Sequence, residues 1–408
     1  MTQRLYYHDS YLCHFSARLL GLNEISGGWI AELDRSAFYP TSGGQLHDLG
    51  TIGGVDVWNV IEDEQDHILH WLREPLRQEG EIHCAIDWFR RFDHMQQHSG
   101  QHVLSQAFIR AARLDTLSFH MGVDYATIDL AAENVSPVQV RQAEELANVI
   151  VCENRPIRVR TVSREESLSI DLRKETTREG PLRIVEVQEF DISACGGTHV
   201  RMTGEIGGIF VRKLERVNRQ VRVTFVSGRR AVQASRNDSE LLESVARRLS
   251  VGIAEVPKRI ENQVAENRQL RKVLQEKNKR LVRFQSNELF NNTPARSGFR
   301  IIKKIFEGEE FDFVKQLAQS LVTCGSCVAL LGNRNEQAQV VFAASESLNL
   351  DLRPLMAECC KLLEGKGGGA RTLVQGGGKN NSNLQAALDW VESQIRFQSS
   401  PPIDSNPD

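Results

Sequence analysis

The chain has 408 residues, 40% hydrophobic and 25% charged, with a formal net charge of -3. That length allows two to four soluble globular domains, and the near-neutral balance removes any global electrostatic case for a polyanion partner. No apolar run approaches the roughly 18–20 residues of a membrane span, and the start M-T-Q-R-L-Y-Y-H-D-S has no hydrophobic signal region. A cytoplasmic protein with reduced cysteines is therefore expected.

Residues 1–88 are expected to form a small β-barrel. Short apolar segments at 28–33, 55–61, 67–71 and 82–86 are separated by Gly, Asp and Asn turn signals. A Pro/Gly-rich loop, F-Y-P-T-S-G-G-Q, occupies 38–45. Residues 89–228 read as an α+β domain. Within 89–112, Val103, Leu104, Ala107, Phe108 and Ala111 recur at helical spacing. A second helix is expected over 137–154, with strands at 127–130, 157–162, 183–187, 209–213 and 221–226.

Residues 229–297 read as a helical, coiled-coil arm with a break near Gly252 and Pro257. Its later half places Leu270, Leu274, Lys277, Leu281 and Phe284 at the 4-3-4-3 spacing of a seam. Residues 298–396 read as a C-terminal α/β domain. Strands are expected at 300–305, 328–331 and 340–344, and helices around 311–322, 352–361 and 383–393. The glycine-dense G-K-G-G-G-A-R-T-L-V-Q-G-G-G-K fills 365–379. The Pro/Ser/Asp-rich tail, 397–408, is expected to be disordered. The whole is an α+β multidomain chain.

Two short strings carry the chemistry. H-S-G-Q-H holds His98 and His102; C-G-G-T-H holds Cys195 and His199. Residues four apart on a helix share a face, so His98 and His102 project together. Gly196 and Gly197 indicate a loop that admits close approach. Three imidazoles and a thiolate suit one zinc ion per chain better than magnesium or calcium. Four donors can close the shell, as in a structural site, yet they come from a helix and a distant loop. Both a catalytic and a structural role stay open. His94, one turn earlier, reads as a neighbouring polar residue rather than a fifth ligand, and His120 as a weaker pocket-lining candidate. Cys324 with Cys327 reads as part of a buried strand, and adjacent Cys359 and Cys360 make poor chelators.

Local charge is uneven: 211–230 contains seven Lys/Arg and one acid, and 258–283 is also basic. Solvated element faces and an RNA-binding surface both account for this pattern.

The strings M-Q-Q-H-S-G-Q-H-V-L-S at 95–105 and A-C-G-G-T-H-V-R-M-T-G-E-I-G at 194–207 resemble the zinc signatures of the alanyl-tRNA synthetase editing domain. F-Y-P-T-S-G-G-Q, R-K-E-T-T-R-E-G-P-L-R-I-V-E-V at 173–187 and the glycine segment match the same family in order. With no aminoacylation domain ahead of the barrel, the chain looks like the free-standing long form (AlaX-like), ending in a DHH-associated domain. It lacks the Asp-His-His motif of that domain's phosphoesterase relatives. Ser99-Gly100 stands where Thr-Ala is usual.

The resemblance implies zinc-dependent hydrolysis of the ester joining a wrong amino acid, chiefly serine and secondarily glycine, to alanine-specific tRNA. It implies Thr41 as the sensor of the serine hydroxyl, with Gln45 and Gln101 binding substrate or positioning water. It gives the basic residues Arg212, Lys213, Arg229 and Arg230 a tRNA-binding role. The same role falls to Gly367, Gly368, Gly369, Gly376, Gly377 and Gly378, and the C-terminal domain is expected to support a homodimer. The alternative is a non-catalytic tRNA-binding protein with a structural zinc. A peptide hydrolase is disfavoured because H-E-x-x-H is missing.

Overall fold

The computed structural model describes residues 2–77, 80–174 and 180–398. Residues 399–408 of the expected tail, and 175–179 of the R-K-E-T-T-R-E-G motif, lie outside the described residues. The chain divides into two compact units, Met1–Arg248 and Leu249–Asp408.

The first unit opens with strands β1 (Gln3–Arg4), β2 (His14–Ile25), β3 (Gly28–Leu33), β4 (Arg35–Ser36), β5 (Gly50–Ile52), β6 (Val55–Glu62), β7 (Ile68–Leu72) and β8 (Glu81–Ile86). Six of them close a barrel in the order β2-β3-β7-β6-β5-β8. Alternate side chains fill it, among them Phe15, Ala17, Ala31, Leu33, Ile82, Cys84 and Ile86. The sequence pattern gave no sign of the 12-residue β2. Its apolar pair Leu19-Leu20 breaks the alternation, and a register irregularity between Leu19 and Gly21 absorbs the extra residue.

Then come α1 (Trp88–Ala112), β9 (Thr116–Met121), β10 (Ala126–Leu130), α2 (Pro137–Cys152), β11 (Ile157–Val162), α3 (Arg164–Ser167), β12 (Leu182–Val187), β13 (Asp191–Ala194), β14 (Ile209–Val217), β15 (Gln220–Ser227) and α4 (Gly228–Leu249). Asp87 caps α1 by accepting from the Arg90 N–H. Ser136 and Gln139 form a capping box at α2, with Pro137 in its first turn. Strands β14-β15-β10-β9 make one antiparallel sheet and β11-β12-β13 another. Helices α1 and α2 pack into their shared core through Leu104, Phe108, Ala143 and Ile150 against Ile128, Val187, Val223 and Phe225.

The loop between β4 and β5 is tied to α1 by a buried ion pair. Arg91 Nε donates to both Asp48 carboxylate oxygens at 3.0 and 3.1 Å, and Nη1 donates to the Ser10 carbonyl at 2.8 Å. Nη2 donates to Asp48 and to the Ala37 carbonyl. Asp48 also accepts from the Tyr39 N–H at 2.6 Å. Arg91 is 1% exposed and Asp48 fully buried.

The second unit contains α5 (Val256–Asn292), β16 (Arg300–Glu307), α6 (Phe311–Cys324), β17 (Cys327–Arg334), β18 (Ala338–Ala344), α7 (Arg353–Leu362), β19 (Gly365–Ala370), β20 (Leu373–Gly378) and α8 (Leu384–Gln398). Its sheet runs β16-β17-β18-β20-β19, with only β16 and β17 parallel. Val328 and Leu330 face the core under α7 and α8. Ala329 and Leu331 face the core that α6 and the end of α5 cover. The break expected in the long helical stretch falls between α4 and α5. On α5, Leu270, Leu274, Leu281 and Phe284 stand exposed.

The glycine segment forms the β19–β20 hairpin at the sheet edge. A Cβ at Gly376 would stand 2.4 Å from Cys360 Sγ, and one at Gly378 would stand 1.9 Å from the Leu363 carbonyl. Gly367, Gly369 and Gly377 are similarly crowded, whereas Gly368 faces open space. Packing against α7 and the adjoining strands is therefore a sufficient reason for most of these glycines. No helix among the described residues is long and apolar enough to cross a membrane.

Removing Arg91 strands the Asp48 carboxylate inside the first unit. Arg91→Met is expected to lower unfolding stability by about 3–5 kcal/mol, measured by urea denaturation. Arg91→Met with Asp48→Asn should recover part of that loss.

Candidate metal centre

His98 and His102 sit one turn apart on α1, while Cys195 and His199 lie on the loop after β13. The fold brings all four together: their donor atoms lie within 4.8 Å of one another. Cys195 Sγ is 3.4 Å from His98 Nε2 and 3.3 Å from His199 Nε2. Zinc–nitrogen and zinc–sulfur bonds of about 2.0–2.3 Å in a tetrahedron put neighbouring donors roughly 3.3–3.8 Å apart. The spacing and the donor set therefore suit zinc.

The outer nitrogen of each imidazole is already engaged. His98 Nδ1 donates to Gln45 Oε1 at 2.8 Å. His102 Nδ1 meets Asp191 Oδ2 at 3.0 Å, and His199 Nδ1 meets Ser99 Oγ at 3.1 Å. Such contacts fix ring orientation and leave the Nε2 lone pairs for the centre. Each outer group is itself held. Gln45 accepts from the Thr198 N–H at 3.1 Å and donates to Thr198 Oγ1 at 2.8 Å. Ser99 Oγ accepts from the Val200 N–H at 3.2 Å. Asp191 pairs with Arg173 at 3.3 Å, and Arg173 donates to the His102 carbonyl at 2.8 Å.

Two glycines make room. A Cβ at Gly197 would stand 2.1 Å from His98 Cε1 and 2.9 Å from Gln45 Oε1. A Cβ at Gly100 would stand 2.3 Å from Ser227 Oγ. The Ser99-Gly100 departure thus has a local reason: Ser99 supports His199, and Gly100 accommodates Ser227.

Electrostatics prepare the donors. Burial opposes the Cys195 thiolate, but His98 and His199 outweigh it and hold the thiol well below its usual value. Burial, then the neighbouring His98, pushes His199 down to about 3, so it would meet a metal as a neutral imidazole. Burial also works against protonated His102, but Asp191 and Cys195 prevail and raise it.

The three imidazoles are nearly buried, whereas Cys195 is half-buried. Two cavities meet the cluster, and they share Gly43, His98, Ala194 and Cys195. One, of about 640 Å³, is further lined by Gln101, His102, Asp115, Thr116, Ser118, Phe119 and Arg173. The other, of about 430 Å³, is further lined by Arg4, Tyr6, Tyr7, Tyr39, Ser42 and Arg183. Phe119 stacks on His98 with ring centroids 5.3 Å apart.

The remaining candidates fall in different places. Gln101 lines the larger cavity, its amide nitrogen donating to Ser105 Oγ at 2.9 Å. Gln45 is buried against His98. Thr41 is exposed and lines neither cavity; its hydroxyl meets His47 Nδ1 at 3.0 Å and accepts from the His47 N–H at 3.2 Å. That is a turn-stabilising contact. His94 is buried outside the four-residue cluster; burial, then Arg90, pushes it down to about 3. His120 is exposed on β9 and lines neither cavity.

Among the basic candidates, Arg212 pairs with Asp238 and Lys213 with Glu215. Arg230 is turned inward onto Asp93 and the Gly122 carbonyl. Arg229 lies over exposed Phe89. Asp191, Ser99, Thr198 and Arg173 escaped the sequence reasoning. The available signal was the need of each ligating histidine for a partner on its other nitrogen.

The family described as threonyl and alanyl tRNA synthetase second additional domain matches residues 182–222. An alanyl-tRNA editing protein, AlaX-L, of Pyrococcus horikoshii is 30% identical, covering 97% of this chain and 100% of that protein. An alanine–tRNA ligase of Pyrococcus abyssi is 29% identical, covering 96% of this chain and 43% of the ligase. The chain thus spans less than half the length of that ligase. The C-Ala domain of Aquifex aeolicus alanyl-tRNA synthetase aligns with 25% of this chain and 96% of its own at 24% identity, with a TM-score of 0.24.

Two outcomes are expected here. Gly100→Ala should cost about 1–3 kcal/mol through overpacking; in a double-mutant cycle, Ser227→Ala should relieve most of it. The wild type should bind one zinc per chain by chelator competition, and Asp191→Asn should weaken binding roughly 10–100-fold. Because Asp191 and Cys195 raise His102, protons compete with zinc for its imidazole, so affinity should fall as pH is lowered.

Proposed function

Because the chain belongs to the alanyl-tRNA editing protein family, we propose that it hydrolyses the ester joining a wrongly attached amino acid to alanine-specific tRNA. Serine is the principal amino acid removed, glycine the second, and the work is done in the cytoplasm. The observation that carries this proposal is the His98, His102, Cys195 and His199 cluster opening through half-buried Cys195 onto two cavities.

These four residues would hold zinc, which supplies a Lewis acid toward an ester carbonyl or water. The surrounding residues do the positioning. Gln45, Asp191 and Ser99 fix the imidazoles. Gln101 is anchored through its amide nitrogen by Ser105, and its oxygen is suited to accept from a serine hydroxyl. A site that hydrogen-bonds this group discriminates against alanine, which leaves the acceptor unpaired. Gln101 is better placed for that role than Thr41, whose hydroxyl is engaged by His47. An aminoacyl ester is an activated acyl group, so orientation at the metal provides much of the required acceleration. Exposed basic residues such as Arg229 would contribute salt-dependent contacts to tRNA phosphates.

The second proposal is a tRNA-binding protein whose zinc only maintains the fold. Four protein donors, enough to close a tetrahedral shell, favour it.

Deacylation of seryl-, glycyl- and alanyl-tRNA(Ala) separates these functions. Release of serine with alanine spared is expected, lost on zinc removal and in Cys195→Ala while circular dichroism stays unchanged. Gln101→Leu should lower serine selectivity at least about tenfold with zinc content unaltered. Tight tRNA binding without release of any amino acid would establish the second function.

A further inference from the structure

The two cavities that meet at Cys195 differ in chemistry. The larger one offers Asp115, Thr116 and Ser118, and its Arg173 is already paired with Asp191. A carboxylate and hydroxyls complement an amino acid's ammonium and side-chain hydroxyl. The smaller cavity is walled by Tyr6, Tyr7 and Tyr39. Its Arg183 has no ion-pair partner among the described residues.

Arg183 is held rigidly. Its Nη1 donates to the Cys195 carbonyl at 2.8 Å and the Gly197 carbonyl at 2.9 Å, and its Nε donates to the Tyr7 carbonyl at 3.4 Å. Its guanidinium carbon lies 5.3 Å from the centre of the Tyr7 ring. These bonds use Nε and Nη1 and leave Nη2 as a donor. A half-buried guanidinium held only by carbonyls keeps its full positive charge for an incoming anion, and its fork matches phosphate oxygens. Arg4, on the same wall, is by contrast neutralised by Glu62 and Asp66.

We propose that the Arg183 and Tyr7 cavity seats the terminal nucleotide of the acylated RNA, with its phosphate on Arg183 and its nucleoside against the tyrosine wall. This proposal rests on the aminoacyl-ester function above. An ester at the shared Cys195 edge then sends its nucleotide into the tyrosine cavity and its amino acid into the larger one. Aromatic faces accept any base, so this seat holds the common end of the RNA and confers no sequence preference.

Calorimetric titration of the zinc-loaded full chain with AMP and with adenosine tests the seat directly. AMP should bind more tightly than adenosine. Tyr7→Leu should weaken both at least about tenfold, and Arg183→Gln should remove the advantage of AMP. Arg183 also supports the metal loop, so zinc content is measured on each variant; Tyr7→Leu decides the matter if Arg183→Gln loses metal. In turnover, Tyr7→Leu should raise KM for seryl-tRNA. AMP binding without deacylation by the wild type would refute the proposed function and leave the seat standing. Deacylation without AMP binding, or AMP affinity indifferent to Tyr7→Leu, would overturn the seat. So would an Arg183→Gln variant that keeps its AMP affinity and loses kcat on serine methyl ester, because that places the guanidinium on the reacting carbonyl.

Discussion

The buried ion pair between Arg91 and Asp48 is the constraint on which the metal site depends. Arg91 belongs to the helix that carries His98 and His102. Asp48 closes the loop that carries Gln45. By joining the two, and by holding Tyr39 and the Ala37 and Ser10 carbonyls in the same knot, the pair sets where Gln45 meets His98. Burying two charges is costly unless their hydrogen bonds are satisfied. Here the guanidinium donates to a carboxylate and two backbone carbonyls, so the charge is compensated inside the first unit.

Around the cluster, many buried polar groups pair with one another. Asp191, Ser193, Thr198, Ser99 and Gln45 sit where a simple core would place apolar side chains. Each buried polar group without a partner would be penalised, so their mutual bonds are a condition of stability. The same bonds point three Nε2 atoms and one thiolate at a common point. Rigidity and ligand orientation therefore arise from one network.

Small residues complete the arrangement. Gly197 lets the loop backbone pass against the His98 ring, where any Cβ would collide. Gly100 surrenders some helix propensity inside α1, and Ser227 occupies the vacated space. In the second unit, crowding in the β19–β20 hairpin accounts for most of a glycine string that looks, as a string, like a loop for binding.

Periodic elements were legible because their apolar spacing is local. Helix α1, barrel strands β3, β6, β7 and β8, and β11 all follow from alternation or 3.6-residue periodicity, whereas the three-residue β5 gave no such signal. The two candidate ligand pairs were legible because donor type and spacing are chemical facts of the sequence, and the fold brings their donor atoms within 4.8 Å. Strand β13 was not legible: D-I-S-A places Asp191 and Ser193 inward, and buried polar residues imitate a turn pattern. Strand β9 was missed although Leu117, Phe119 and Met121 alternate, because the strand is short and follows α1 closely. The sequence alone determined the four donors and the helical face that His98 and His102 share. Only tertiary structure decided that Thr41 turns to His47, that Asp191 and Ser99 hold the imidazoles, and that two unlike cavities meet at Cys195. The Thr41–His47 contact spans only six residues, but the contacts that hold the imidazoles join segments about 50 to 150 residues apart, and no local pattern encodes them.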